Sequence, residues 1–261
     1  MRRLLNILIV VTLVGVSSCD LNETPASVSG FTNDLCFQNA MANGHIFRMD
    51  GKVWLRGSEK DSMHFDISGW SLRPCQLNLG LGREYFPALI TPTYVNVADH
   101  LQDYQPDDRV ILLESGSGVK IYPFNLLTRH ELINDEVDGQ PVMITYSLLS
   151  DHAAVYRRNY CDTTFTFAVS GYTYWDYNIQ NAVSSFLFWD RETESLWWPL
   201  IDKAVSGQMQ GIWLVHYNES KWRVSTWQKV TDNYPDALLL EEDQTMEAPL
   251  NWPRYIEVSC K

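Results

Sequence analysis

The feature that most constrains the fold is a series of short segments rich in β-branched and aromatic residues, each bounded by Gly, Asp, Asn or Ser. Such segments are typical of β-strands separated by turns. Ten stand out: KVWLRG, MHFDISG, VILLES, GVKIYPF, ELINDEV, PVMITYSLL, AAVYRR, TFTFAVSG, SSFLFWD and GIWLVHYN. The pattern predicts a mainly β fold of antiparallel sheets, barrel- or sandwich-like, with a few short peripheral helices.

Helical patterns are few and short. Residues 125–128 and 98–101 are each long enough for a single turn. Residues 225–233 fit a longer helix, with Ser225 or Thr226 as its N-cap and Pro235 just beyond its end.

Residues 129–152, RHELINDEVDGQPVMITYSLLSDH, predict a hairpin, because Asp138-Gly139 between strand-like runs is a strong two-residue turn pattern. The pairs that follow from this turn run from Val137–Gln140 and Glu136–Pro141 to Glu131–Tyr146 and His130–Ser147. Pro141 then falls at a non-hydrogen-bonded position, where its missing N–H is tolerated. The register therefore predicts that His130 and Ser147 face each other.

Three chemical interpretations of this hairpin compete with a purely structural one. HELIN could begin a zinc-protease helix, but Asn134 replaces the second histidine. Ser147 and His130 could be a nucleophile and its base, although there is no G-x-S-x-G elbow and no assigned third member. His130 with His152 or His64 could bind a metal. A satisfied structural histidine is the commoner case.

The N-terminus predicts export. Basic MRR precedes the apolar run LLNILIVVTLVGV, which is short for a membrane span and typical of a signal peptide over residues 1–18. Small residues before Cys19 resemble a bacterial lipobox, so we expect Cys19 to be lipidated. Asp20 resembles an inner-membrane retention signal. The sequence predicts a protein anchored by lipid in the cell envelope, on the periplasmic or extracytoplasmic side.

The charge balance restricts the partners. The chain carries 20 Lys plus Arg and 32 Asp plus Glu, a net charge of −12. Loss of Arg2 and Arg3 with the signal peptide leaves 18 basic residues and a net charge of −14. An acidic surface argues against nucleic-acid binding and against electrostatic attachment to anionic lipids.

The even number of remaining cysteines favours disulfides in an exported chain. The four candidates are Cys36, Cys75, Cys161 and Cys260. Three pairings are possible and the spacing does not choose between them. None of the four lies in a C-x-x-C motif.

Aromatic residues are abundant, with 10 Trp and 13 Tyr. GYTYWDY at residues 171–177 groups four rings, and Trp189, Trp197 and Trp198 follow. A core built from large rings is the simpler interpretation. The functional alternative is a cleft that stacks on a sugar or a ring-bearing cofactor. Its polar groups would come from the interleaved residues Asp176, Asp190, Arg191 and Glu194.

The order of several motifs resembles the bacterial family known as domain of unknown function 3179. These motifs are YPFNLLTRHELINDEVDGQPVMITY, AAVYRR, TFAVSG, WDRETESLWWPL, AVSG and a later STW. The resemblance covers roughly residues 119–240, and the upstream block FDISGWSLRPCQLNLGLGREYFPALITP is also similar. It implies no established activity.

One departure from the family is informative. Many members have a C-x-x-C where this chain has Ser147-x-x-Ser150, and the resemblance implies a metal or redox site there. Hydroxyls are poor ligands for soft metals, so such a site would be lost or altered in this chain. The positions that remain transferable are His130, Glu131, Asn134, Asp135, Ser170, Gly171, Asp190, Arg191, Glu194 and Trp197.

These observations define the expected organisation. It comprises a signal peptide (1–18), a tether (19–30), an N-terminal β elaboration (31–110), a core family domain (111–240) and a C-terminal tail (241–261). The candidate binding or catalytic residues are His130, Glu131, Asn134, Ser147, Ser150, Ser170, Asp190 and Arg191. We expect no cofactor, apart from a weak indication of a transition metal.

The leading hypothesis is a ligand-binding or accessory module for an unknown small molecule or envelope protein, with its site around the His130/Ser147 hairpin. One alternative is an envelope hydrolase that uses His130 as its base. The other is a metal-binding or redox-related protein with a degenerate C-x-x-C.

Overall fold

The computed structural model describes residues 34–57, 63–177, 183–242, 244 and 256–258. The predicted signal peptide, Cys19, the tether and Cys260 lie outside these ranges. Within them, the α-helices are α1 (Leu35–Ala42), α2 (Phe124–His130) and α3 (Trp227–Asn233). No helix in these ranges is long and apolar enough to cross a membrane.

Most of the regular structure consists of strands. They are β1 (Ile46–Met49), β2 (Lys52–Leu55), β3 (Phe65–Asp66), β4 (Leu77–Leu79), β5 (Tyr94–Asn96), β6 (Arg109–Ser115), β7 (Gly118–Pro123), β8 (Leu132–Val137), β9 (Gln140–Ser147), β10 (His152–Arg157), β11 (Asn159–Tyr160), β12 (Thr163–Thr164), β13 (Phe167–Asp176), β14 (Val183–Asp190), β15 (Leu196–Trp198), β16 (Lys203–Ala204), β17 (Trp222–Thr226) and β18 (Leu238–Leu240).

The central layer is the sheet β10-β9-β8, which is antiparallel throughout. Its side chains alternate between two buried clusters, as a pleated sheet covered on both faces requires. Leu132, Met143 and Tyr156 join one cluster, while Ile133 and Ile144 join the other. The hairpin singled out in the sequence is therefore interior structure.

On one side of the central layer lies the five-stranded sheet β16-β15-β14-β13-β4. Its inner face supplies most of what we call the aromatic cluster, whose large rings include Tyr160, Phe165, Phe167, Phe188 and Trp197. Tyr160 stacks on Phe165 with ring centroids 4.9 Å apart. The abundant aromatics of the sequence therefore mostly fill the core.

On the other side lies the sheet β17-β6-β7-β18-β5, antiparallel except for the parallel pair β18–β7. Its outer face is covered by α3 through Trp227 and Val230, as part of a third buried cluster. The prediction of a mainly antiparallel β fold with short peripheral helices is confirmed. The sheets have open strand orders, which gives a layered, sandwich-like architecture.

An N-terminal unit of α1 and the sheet β1-β2-β3 packs onto the aromatic cluster. Asp34 caps α1 by accepting a hydrogen bond from the Cys36 N–H. The disulfide Cys36–Cys75 joins α1 to the 3-10 turn Pro74–Gln76, which directly precedes β4. Cys161 is also disulfide-bonded, and its partner is not among the described residues.

Candidate functional site

The predicted hairpin register is confirmed near the turn and wrong at its far end. Val137 pairs with Gln140, and the ladder continues to Leu132 opposite Thr145. There the strand stops, because Glu131 adopts a φ of 59° and the preceding residues form α2. His130 is thus the last residue of a helix, and the partner of Ser147 is His152 on β10.

His130 is oriented by a hydrogen bond to the backbone and does not face Ser147. Its Nδ1 donates a hydrogen bond to the carbonyl oxygen of Pro87, 2.9 Å away. The interpretations that pair His130 with Ser147, as a binding face or as a base and nucleophile, therefore lose their geometric basis. His64 is also engaged, since its Nδ1 accepts a hydrogen bond from the Gly57 N–H at 3.2 Å.

The turn between β9 and β10, here called the Ser147 turn (residues 147–152), contains buried polar atoms without partners. The Oγ atoms of Ser147 and Ser150 and the Nε2 of His152 are shielded from solvent and make no hydrogen bond. Each such atom costs free energy in a folded protein, so three in one short turn are unusual. Two of these residues, Ser147 and Ser150, stand where the family resemblance implies thiols.

Beyond His152 lies a pair formed by a histidine and a carboxylate. His216 Nε2 is 3.0 Å from Oδ2 of Asp202, whose Oδ1 accepts a hydrogen bond from the Tyr156 hydroxyl at 2.7 Å. Burial lowers the pKa of His152 and His216 adds to this decrease, while Asp202 opposes it. His152 is therefore a neutral imidazole at pH 7, available as an acceptor or ligand.

Asn134 and Ser170 hold strands together. The side chain of Asn134 donates to the Phe167 carbonyl and accepts from the Phe167 N–H, both at 2.8 Å, and so joins the central layer to β13. The Ser170 hydroxyl donates to the Leu187 carbonyl at 2.6 Å, within the irregular part of the β13–β14 ladder. Both side chains are fully buried and satisfied, which is a structural role.

Asp190 organises the turn after β14. Its carboxylate accepts hydrogen bonds from the backbone N–H and the hydroxyl of Thr193, each at 2.6 Å, and from the indole N–H of Trp197 at 2.8 Å. Burial raises its pKa to about 7, although these hydrogen bonds act in the opposite direction. These hydrogen bonds are all made within the protein, which indicates a structural carboxylate.

Arg191 and Arg83 form two neighbouring buried ion pairs. Arg191 binds Glu84 through two hydrogen bonds, and Arg83 binds Glu194 at 2.9 Å. The Arg83 guanidinium also lies 3.6 Å from the ring centroid of Trp189. Neither Arg83 nor Glu84 was expected from the sequence, because their partners are about a hundred residues away and no local pattern marks them.

Glu194 connects this network to a cavity of about 370 Å³, here called the Trp54 cavity. It lies between the β2–β3 region and the turns around residues 193 and 207–210. Its polar and aromatic walls include Lys52, Trp54, Asp66, Glu194, Gln208 and Gln210. Apart from Glu194, the sequence interpretation missed these residues, which lie in strand-like or turn segments without a recognisable motif.

A smaller cleft of about 100 Å³, here called the Glu131 cleft, lies beneath the loop 80–86. Its walls include Glu131, Tyr85, Phe86, Tyr172 and Phe186. Burial raises the pKa of Glu131 to about 7. Of the eight candidate binding or catalytic residues, Glu131 lines this cleft; the other seven, His130, Asn134, Ser147, Ser150, Ser170, Asp190 and Arg191, line neither of the two cavities described here.

Across the described part of the chain, no three His, Cys, Asp or Glu side chains are grouped so as to hold a metal ion. Of the histidines suggested for a metal site, His130 and His64 each have Nδ1 engaged in a hydrogen bond with the backbone. The zinc-protease interpretation also fails, because the HELIN segment begins at the end of α2 and continues as β8.

Comparison with known proteins identifies the family. The family model described as "Protein of unknown function (DUF3179)" matches residues 83–255. No curated protein and no solved structure matches the chain. The match extends further toward the N-terminus than the resemblance seen in the motifs, and it includes Arg83 and Glu84.

Proposed function

The chain belongs to the DUF3179 family, and we propose that it is a lipid-anchored ligand-binding protein of the cell envelope. The proposed ligand is a small polyhydroxylated molecule, such as a short sugar, bound in the Trp54 cavity. The observation that carries this proposal is the combination of an aromatic ring, two carboxylates and two amides around one cavity of suitable volume.

Size and lining support a ligand site. The cavity volume of about 370 Å³ lies within the range of about 300–1,000 Å³ that is usual for small-molecule sites. The indole N–H of Trp54 is already bonded to the Met49 carbonyl at 3.2 Å. The remaining ring surface is apolar and suits the C–H face of a sugar, whose hydroxyls need the donors and acceptors of the neighbouring side chains.

Contacts among the wall residues hold the polar groups of the cavity in place. Asp66 accepts hydrogen bonds from Lys52 at 2.7 Å and from the Ser68 hydroxyl at 2.6 Å. Gly69 leaves room for Gln210, since a Cβ there would lie 2.3 Å from the amide oxygen of that residue. Preorganised polar groups reduce the entropy lost when a ligand binds.

Binding is favoured over hydrolysis at this cavity. Burial would raise the pKa of Asp66, but hydrogen bonds from Lys52 and Ser68 outweigh it and hold the pKa below its usual value. Glu194 is held by the buried cation Arg83. A general acid in glycoside hydrolysis requires a raised pKa, and Asp66 has the opposite shift.

The ligand proposal is tested by ligand-observed NMR and calorimetry with maltotriose and chitotriose. We expect binding to the purified mature protein and its loss in Trp54→Ala. Trp175→Ala is the matched control, because Trp175 is 39% exposed and lies outside the cavity walls. Absence of binding to both sugars, or equal binding by Trp54→Ala, would contradict the proposal.

The anchoring proposal rests on the basic and apolar N-terminus and on the small residues before Cys19. Lipidation would provide membrane attachment that the acidic chain lacks. We expect the protein to incorporate labelled fatty acid and to partition into the detergent phase. Cys19→Ser should do neither, whereas Cys36→Ser should still be labelled. Equal labelling of wild type and Cys19→Ser would overturn it.

A second candidate function is an altered thiol or metal site at the Ser147 turn. Three buried polar atoms without partners are the specific observation in its favour. The neutral state of His152 is also the state in which imidazole binds metals. This candidate is tested by restoring sulfur at the two serine positions, as described in the Discussion.

A further inference from the structure

The carboxyl group of Glu131 is exceptional because it faces a cleft in which the described residues supply no counter-charge. Burial is the one cause that raises its pKa to about 7. Among the residues that the structure describes, no side chain donates a hydrogen bond to this carboxylate or forms an ion pair with it. Glu131 is partly buried, and an acid in this condition gains from a cation that enters the cleft.

The position of Glu131 is imposed by its backbone contacts. Its φ of 59° and ψ of −32° are rare for a residue with a side chain. Its N–H donates to the Leu127 carbonyl at 2.7 Å, and its carbonyl accepts from the Thr145 hydroxyl at 3.0 Å. These contacts compensate for the strain and hold the side chain at the junction between α2 and β8.

The cleft is shaped by a close approach of two backbone segments. A Cβ on Gly171 would lie 2.2 Å from the carbonyl carbon of Gly82, so only glycine permits the loop 80–86 to rest on β13. Gly80 N–H also donates to the Gly171 carbonyl at 2.8 Å. Around this contact, Leu81 and Tyr85 remain 59% and 61% exposed, which leaves apolar surface at the mouth of the cleft.

From this geometry we propose that the Glu131 cleft binds the primary ammonium group of a small amine with an apolar body. The ammonium would pair with the Glu131 carboxylate, and the apolar body would contact Tyr85, Phe86 and Phe186. A volume of about 100 Å³ admits the head of such a ligand rather than a large molecule. The site is separate from the Trp54 cavity and does not depend on sugar binding there.

The charged residues of the loop near Glu131 form their ion pairs with other residues. Arg83 and Glu84, on the loop above the cleft, are paired with Glu194 and Arg191. His130, the residue before Glu131, donates a hydrogen bond to the carbonyl of Pro87, which directly follows that loop.

The other titratable groups on the walls are Tyr85 and Tyr172. The Tyr172 hydroxyl donates to the Arg56 carbonyl at 2.6 Å, and burial raises its pKa, so it stays neutral. The negative charge that an amine would meet in the cleft is therefore that of Glu131.

The test uses benzylamine as the probe and benzyl alcohol as the uncharged control, measured by calorimetry. Benzylamine stays protonated from pH 5.5 to 8, whereas an acid of pKa about 7 is mostly protonated at pH 5.5. We expect binding at pH 8 and binding weaker by about thirty-fold at pH 5.5. Glu131→Gln, which keeps the side-chain shape, should bind benzylamine no better than benzyl alcohol.

A second measurement uses the wild-type protein alone. At pH 7, amine binding should release about half a proton from Glu131, which appears as a dependence of the binding enthalpy on the buffer's ionisation enthalpy. Proton release and the pH trend together would support the proposal. Absence of benzylamine binding at pH 8, binding without proton release, or full binding by folded Glu131→Gln would overturn it.

Discussion

Arg191 and Glu84 form a two-point ion pair inside the protein, with Nε–Oε1 and Nη2–Oε2 distances of 2.8 and 2.6 Å. Their side chains are only 3% and 2% exposed. The pair links the turn after β14 to the loop 80–86, which covers the Glu131 cleft. A contact made for stability thus also positions a candidate binding surface.

Removal of the charge of one partner of this ion pair should lower the stability of the fold. We expect Glu84→Gln to lower the free energy of unfolding by about 3–5 kcal/mol, because it leaves a buried guanidinium without its counter-charge. Chemical denaturation measures the change. Glu114→Gln is the matched control at an exposed pair with Arg223, where about 0–1 kcal/mol is expected. Equal effects at the two pairs would contradict the assignment.

Gly171 should tolerate no side chain. Gly171→Ala combines a positive φ of 82° with a Cβ placed against Gly82, so we expect a loss of several kcal/mol, on the scale of severe overpacking. Gly211→Ala is the control, since its φ is 84° and no atom lies within 4 Å of the added Cβ. Thermal and denaturant unfolding should show a loss of about 1 kcal/mol for the control. A Gly171→Ala variant as stable as the control would refute the close approach.

Glu131 should make folding less favourable as the pH rises. Its pKa increases from 4.5 to about 7 on folding, so the folded state retains a proton that the unfolded state loses in this interval. Stability should therefore be unaffected by this group below pH 4.5, fall between pH 4.5 and 7, and stay lowered above.

Asp190 acts in the same direction, with a pKa raised from 3.8 to about 7. The informative quantity is therefore the difference between wild type and Glu131→Gln. We expect the two to be equally stable at pH 4.5 and the variant to be more stable by about 1–2 kcal/mol at pH 8, after allowance for partial exposure. A difference that does not change with pH would refute the raised pKa.

Sulfur at the Ser147 turn should create a metal site. In Ser147→Cys/Ser150→Cys, two thiols would share the turn with His152, whose Nε2 has no partner and whose backbone pairs with residue 147. Both new cysteines must be in the reduced thiol form. At a zinc concentration one hundred times the Kd for zinc, we expect the metal to stabilise the variant by about 2.7 kcal/mol. Thermal unfolding with and without zinc measures this.

The controls for this variant are wild type and His152→Ala in the double-cysteine background. Wild type should show no zinc-dependent shift, and loss of the imidazole should reduce the shift of the variant. If the double-cysteine protein folds and zinc leaves its unfolding temperature unchanged, the altered-site interpretation fails.

Local sequence was sufficient for the part of the hairpin near its turn. Asp138-Gly139 imposes a two-residue connection, and the alternation of side chains then sets the pairs back to Leu132–Thr145. The same reasoning failed at His130, because a helix of seven residues ends there. The sequence predicts a helical turn at residues 125–128, but the extension of the helix to His130 depends on Glu131 and on contacts with β9.

The candidate sites were harder to predict than the fold. Asp190 and Arg191 are polar residues at and just after the end of β14, and Ser170 is a polar residue within β13. Polar residues at such positions occur both in binding sites and in buried structural networks. Burial separates the two cases, and burial depends on which sheets cover which faces. The Trp54 cavity draws its walls from the N-terminal sheet and from turns more than a hundred residues later, so no motif could indicate it.

The sequence by itself determined the strand-rich architecture, the turn of the hairpin and the family, because these depend on local propensity, periodicity and motif order. Tertiary structure alone decided that Ser147 faces His152, that Arg191 meets Glu84, and that the Glu131 carboxyl faces a cleft. Those relationships depend on contacts between distant segments and on exclusion of water, which the order of residues in one segment does not contain.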